Sequence, residues 1–214
     1  MVGTVTVIGA GVIGGAIVKC LIKSKKTESV IATRRNLETL IPLADLGANI
    51  SDNNQVAARE AEVVFICVKP NDIEQVLNEI KEEIEGKLVI STAAVIPIAS
   101  LEAIMPKARY VRTMPNIAAM VGESFTAYTM GSTTLLEDKT TVEILLSTMG
   151  TCMEIEEKYM DAVTGLSGSG PAFVAIVIEA LTYAGLRVGL PRDLSKVASA
   201  QSVLGAAKLI MNDV

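Results

Sequence analysis

Residues 4–14 read Thr-Val-Thr-Val-Ile-Gly-Ala-Gly-Val-Ile-Gly, a β-rich run that breaks into glycines and resumes as an apolar helical pattern. Gly9, Gly11 and Gly14 form G-x-G-x-x-G, and each glycine has a separate task. The first permits a tight turn, the second lets the backbone approach a pyrophosphate, and the third allows close helix–strand contact. The helix that opens here offers unpaired N–H groups and a favourable dipole to phosphate. A strand before the motif and a helix after it turn a weak signature into a dinucleotide-binding loop.

The pattern outward from this loop supports the same fold. Further strands are expected over 29–33, 62–68, 87–91 and 108–112, with 123–130 as an added strand. Helices are expected over 12–24, over 36–46 (capped by Asn36 and stopped by Gly47), after Pro70, and over 133–149. The helix after Pro70 carries Ile73, Val76, Leu77, Ile80 and Ile84 at helical spacing. Beyond Glu157 only helices remain, over 171–188 and 193–211, the latter rich in Ala and Gly that permit close helix approach. The expected architecture is α/β: a Rossmann-type doubly wound parallel sheet over 1–157, then a smaller all-helical domain over 158–214, with the boundary within 155–162.

Composition narrows the chemistry. With 50% hydrophobic and 3% aromatic residues and no Trp, the core is built from aliphatic side chains, which suits a buried parallel sheet. A net charge of -5 speaks against a nucleic-acid partner. No apolar run approaches the length of a membrane span, so no membrane partner is expected. Three scattered cysteines, Cys20, Cys67 and Cys152, read as reduced thiols in a cytoplasmic protein, without metal-ligand spacing. The absence of histidine removes His-based triads, His acids and His-ligated zinc; no metal site is expected.

The end of the second expected strand, Thr33-Arg34-Arg35, separates two cofactors. An NAD enzyme places a carboxylate there for the ribose 2′-OH, whereas a hydroxyl and two guanidinium groups suit a 2′-phosphate. NADP (NADPH) is favoured and NAD less so; the alternative is a solvated arginine pair on a loop. Lys69, in Val68-Lys69-Pro70, stands at a strand end, facing either cofactor or solvent. Asn54 begins a helix and serves either as its N-cap or as a cofactor contact. Asn116, in Met114-Pro115-Asn116, has an amide placed to orient a nicotinamide or substrate, or belongs to an ordinary turn. Ser167-Gly168-Ser169-Gly170-Pro171 is a second glycine-rich turn before a helix, either a carboxylate or phosphate site or a plain loop.

Together these segments resemble pyrroline-5-carboxylate reductase along essentially the whole chain. The resemblance is most specific in Val68-Lys69-Pro70, in 112–116, in Val121-Gly122-Glu123, and in 161–172 (Asp-Ala-Val-Thr-Gly-Leu-Ser-Gly-Ser-Gly-Pro-Ala). It implies a helical C-terminal domain that dimerises by interleaving helices, giving a homodimer or a larger homo-oligomer built from dimers. It also implies reduction of 1-pyrroline-5-carboxylate to L-proline, the last step of proline biosynthesis. By matching positions, Ile8, Gly9, Ala10, Gly11, Val12, Ile13, Gly14, Thr33, Arg34, Arg35, Asn54, Cys67, Val68, Lys69, Pro70, Ala93, Ala94 and Val95 line the cofactor. Asn116 and Ser169 are the candidate catalytic side chains. Val95 stands where the family carries Gly, and Ile117-Ala118 where it carries Thr-Pro. The family also continues past Val214 into a Pro-Gly-Gly-x-Thr loop for the substrate carboxylate, and a sequence ending in mid-helix is expected to be truncated. Two other readings stay open: a silent NADP-binding dimer, and a reductase of a related imine or carbonyl compound.

Overall fold

In the computed structural model the described residues are 1–212; positions 213–214 of the expected second domain, where the chain ends, lie outside them. The order is β1 (Val2–Ile8), α1 (Val12–Ser24), β2 (Thr27–Thr33), α2 (Ile41–Ala44), β3 (Asn49–Ser51), α3 (Asn54–Glu60), β4 (Val63–Ile66) and α4 (Ile73–Ile80). It continues with β5 (Leu88–Ser91), α5 (Ile98–Ile104), β6 (Arg109–Met114), β7 (Ser124–Met130), α6 (Leu136–Leu146), β8 (Gly150–Glu154) and α7 (Met160–Val163). The helices α8 (Gly170–Arg187) and α9 (Arg192–Met211) close the chain.

The eight strands form one sheet in the order β3-β2-β1-β4-β5-β6-β7-β8. Every neighbouring pair is parallel except β6 with β7. The order reverses between β1 and β4, the switch point where such sheets bind ligands outside their carboxyl ends. Period-two alternation explains the burial of both faces. Val5, Val7 and Phe65 pack with Ile17, Val18 and Leu21 of α1 on one side. Ile8, Val64 and Ile66 pack with Ile73, Leu77 and Ile80 of α4 on the other. Each such side chain contributes about 1.5–3 kcal/mol on burial. Thr6, polar within β1, is satisfied because its hydroxyl donates to Ala57 O at 2.7 Å.

Several elements differ from expectation. The 36–46 stretch is a 3₁₀ turn, Leu37–Leu40, followed by the four-residue α2; Asn36 caps the turn, its Oδ1 accepting from Glu38 N at 3.0 Å. The 133–149 helix is shorter, with α6 followed by a 3₁₀ turn over Ser147–Met149. Strands β3 and β8 and helix α5 carry no expectation from the sequence. The cap of α3 is Asn53, whose Oδ1 accepts from Val56 N at 3.0 Å, so Asn54 is free for other partners.

By contacts the chain divides into two compact units, 1–168 and 169–214. Residues 157–168 stay with the sheet because fully buried Met160 packs with Met114 and Ala127. In the second unit α8 meets α9 closely: Ser195 Oγ donates to Thr182 O at 2.7 Å, and a Cβ on Gly185 would collide with Ser195. Gly205 meets nothing within 4 Å, so that part of the small-residue stretch on α9 is open. No residue of α8 is buried. One helical run, 157–187, has an 18-residue window of mean hydropathy 1.5, enough by length and composition for a membrane span. That corrects the expectation of no such stretch: isolated charges such as Glu179 and Arg187 interrupt the apolar letters without lowering their average far.

Candidate cofactor and active site

The three glycines of the loop after β1 have three distinct geometries. Gly9 has φ +83°, and a Cβ there would lie 2.7 Å from Val68 Cγ1, so the turn excludes a side chain twice over. A Cβ on Gly14 would stand 2.5 Å from Gly9 O, which makes that glycine the condition for α1 to cross so close to the turn. Gly11 is different: the nearest atom to a Cβ would be Gly9 O at 4.0 Å, so the space is open. The protein itself does not fill that space. The opening amides of α1, at Val12 and Ile13, lack intrahelical acceptors.

A groove of about 560 Å³ runs along the carboxyl ends of β1, β2 and β4. It gathers ten expected residues: Ile8, Gly9, Gly11, Thr33, Arg34, Arg35, Asn54, Cys67, Val68 and Lys69. Ala10 and Val12 line a second groove with Gly11 and Arg34. Ile13 and Gly14 instead pack inward. Pro70, Ala93, Ala94, Val95 and Asn116 are outside the first groove, in the loops that follow β4, β5 and β6. Ser169 lies in the second unit as the N-cap of α8, exposed and with no hydrogen bond from its hydroxyl among the described residues.

Thr33 is fully buried and its hydroxyl donates to Asn54 Oδ1 at 2.6 Å; Asn54 Nδ2 donates in turn to Glu79 Oε2 at 3.1 Å. Glu79 was not foreseen; it stands on the polar side of α4, where the sequence gives only a solvated face. The turn after β2 presents both guanidinium groups, and Arg34 Nη1 donates to Thr39 Oγ1 at 3.1 Å. Arg34, Arg35 and Lys69 form no ion pair among the described residues. Burial pushes the Cys67 thiol up to about 12, the Thr92 hydroxyl opposing only weakly, so it stays protonated at neutral pH and serves as packing.

Beyond β6, Asn116 is buried and its amide is engaged at both ends. Its Oδ1 accepts from Ala118 N at 3.0 Å, and its Nδ2 donates to Ser167 O at 2.9 Å. On the neighbouring strand end Val95 is 65% exposed with φ +59°, a left-handed conformation that is an outlier for a β-branched residue. Arg112, two residues before Met114 on β6, is buried and paired with Glu157 and Asp161. Sequence reading assigned it no role, although a cation inside a strand buried on both faces is itself a signal.

Comparison with known proteins adds three findings. A family model described as "NADP oxidoreductase coenzyme F420-dependent" matches residues 4–95, and one described as "Pyrroline-5-carboxylate reductase dimerisation" matches residues 157–213. The chain is 37% identical to pyrroline-5-carboxylate reductase 2 of Macaca fascicularis, covering 98% of this chain and 68% of that protein. It is 40% identical to pyrroline-5-carboxylate reductase of Methanosarcina acetivorans, covering 95% and 77%. Among solved structures, Plasmodium falciparum pyrroline carboxylate reductase with NADP bound matches at a TM-score of 0.89 and 29% identity, covering 97% of this chain and 78% of that one. The chain spans between 57% and 79% of the lengths of the curated relatives it matches.

Proposed function

The chain belongs to the pyrroline-5-carboxylate reductase family, and from that premise we propose that it reduces 1-pyrroline-5-carboxylate to L-proline, the closing step of proline biosynthesis. NADPH, when bound, supplies the hydride for the C=N carbon. The chain's own residues bind, orient and enclose. The open space at Gly11 and the first amides of α1 take the pyrophosphate. Arg34 and Arg35 take the 2′-phosphate, and the Thr33–Asn54–Glu79 relay fixes the wall beside them. A dinucleotide lying along the strand ends from β2 past β1 and β4 reaches the loops after β5 and β6. There Ala93, Ala94, Val95 and Asn116 enclose the nicotinamide end. Asn116 carries no titratable proton, so its part is orientation. With no histidine in the chain, the ring nitrogen takes its proton from water.

The single observation that carries this reading is the open space at Gly11, flanked by two arginines at the end of β2. The partner is a second copy of the chain, supported by the dimerisation model over 157–213 and by the apolar exposure of α8. That exposure answers the membrane-like composition of 157–187 with a protein neighbour. Three free cysteines suit the cytoplasm. The test follows NADPH oxidation with pyrroline-5-carboxylate as substrate and L-proline as the measured product. Tight NADPH binding without turnover overturns the assignment.

A further inference from the structure

Arg112 is the only buried cation among the described residues. Its side chain is 4% exposed, with Nη2 2.9 Å from Asp161 Oδ1 and Nη1 3.3 Å from Glu157 Oε1. Its Nε has no hydrogen-bond partner among the described residues. The same Glu157 oxygen accepts from Ile98 N at 2.8 Å, so one carboxylate joins β6, the start of α5 and the turn before α7. Four residues after Arg112, Asn116 Nδ2 reaches Ser167 O. The stretch 157–168 is thus fastened to the end of β6 twice, near its start by Arg112 and near its end by Asn116. Between the fastenings Met160 is buried against Met114. The last five residues, Thr164–Gly168, are wound as a π-turn, a geometry frequent at functional sites.

A buried guanidinium paired with partly and largely exposed carboxylates is a poor stabiliser. Its own desolvation costs several kcal/mol, and an apolar side chain of similar volume often packs as well or better. An unpaired Nε makes this guanidinium poorer still. What the pair supplies is direction: a guanidinium with two carboxylates on one turn fixes the register of that turn against the strand.

We propose that Arg112 is a positioning residue for the reduction: by holding 157–168 against β6 it sets Ser167 O, and through it the orientation of the Asn116 amide. The proposal rests on the functional reading above. Arg112 does not line the groove that takes the phosphates and 2′-phosphate end of the cofactor, where most of the binding contacts are proposed, so its loss leaves NADPH affinity nearly unchanged.

The full chain and three variants, Arg112→Met, Arg112→Lys and Asp161→Asn, are compared for kcat, NADPH dissociation constant and hydrogen exchange. For Arg112→Met, kcat falls by roughly ten- to a hundred-fold, the size expected of a small misplacement at the reacting centre, with the NADPH constant unchanged. Arg112→Lys restores part of kcat, because it keeps the charge but not the fork. Backbone amides of 160–168 exchange faster in Arg112→Met and Asp161→Asn. A merely structural arginine would lower the melting temperature while leaving kcat at wild-type level below it, and that result overturns the proposal. Unchanged exchange overturns it as well. Should Arg112→Met fail to fold, Asp161→Asn decides, since Asp161 is 74% exposed and tolerates the change. A wild-type chain that turns over no pyrroline-5-carboxylate overturns the functional reading, while the exchange measurement still decides the clamp.

Discussion

Arg34 and Arg35 leave the sheet directly after a threonine whose hydroxyl is already spent on Asn54. The hydroxyl that the sequence offered to a 2′-phosphate is therefore inside the protein, and in the proposed reading that phosphate falls to the guanidinium groups alone. Hydrogen bonds to a charged group contribute about 1.5–3 kcal/mol, so Arg34→Asp should weaken NADPH binding roughly ten- to a hundred-fold and leave NADH nearly unchanged. Equal losses for both, by fluorescence titration, would exclude Arg34 from 2′-phosphate recognition. Val95 makes a different demand. A left-handed conformation costs an L-residue about 1–2 kcal/mol, and glycine returns part of the gain as unfolded-state entropy. Val95→Gly should then stabilise the protein by about 1 kcal/mol, a rise of about 2–4 °C in melting temperature for a chain of this size. A lower melting temperature would mean that contacts of the valine outweigh its strain.

Among the elements, the loop between β1 and α1 separates folding from binding most cleanly. Gly11→Ala places a methyl group in open space, so melting temperature holds while NADPH affinity falls at least tenfold, about 1.4 kcal/mol. Gly14→Ala drives a methyl group into Gly9 O, so stability and affinity fall together. If Gly11→Ala binds NADPH normally, the pyrophosphate lies elsewhere. Periodicity made this region legible: β1, α1, β2, β4 and α4 follow from apolar spacing, and the glycine motif locates the switch point. The short elements were not legible. β3 has three residues, two of them polar, and pairs in the sheet with β2 alone; β8 is mostly exposed and exists because β7 lies beside it. Asn53 and Asn54 are both plausible caps by type, and only the geometry of the turn decides between them. Arg112 and Glu79 escaped notice because their roles depend on partners 45 and 25 residues away in sequence.

For the whole molecule, the two units bury their apolar residues differently. The sheet unit encloses its own core. In the other, Phe173, Ile176 and Val177 share a face of α8 at helical spacing and are 59%, 64% and 53% exposed. Ile176→Asp should convert the assembly to monomers in sedimentation velocity while NADPH binding to the first unit persists, and an unchanged sedimentation coefficient would remove this face from the interface. A helix pair without an interior of its own has a further consequence. With a second copy as the partner proposed above, its ordering is a second-order event, since the copy that dries α8 must first be met in solution. Dilution then acts on this unit as a denaturant would, and its melting point climbs with the logarithm of protein concentration while that of the sheet stays fixed.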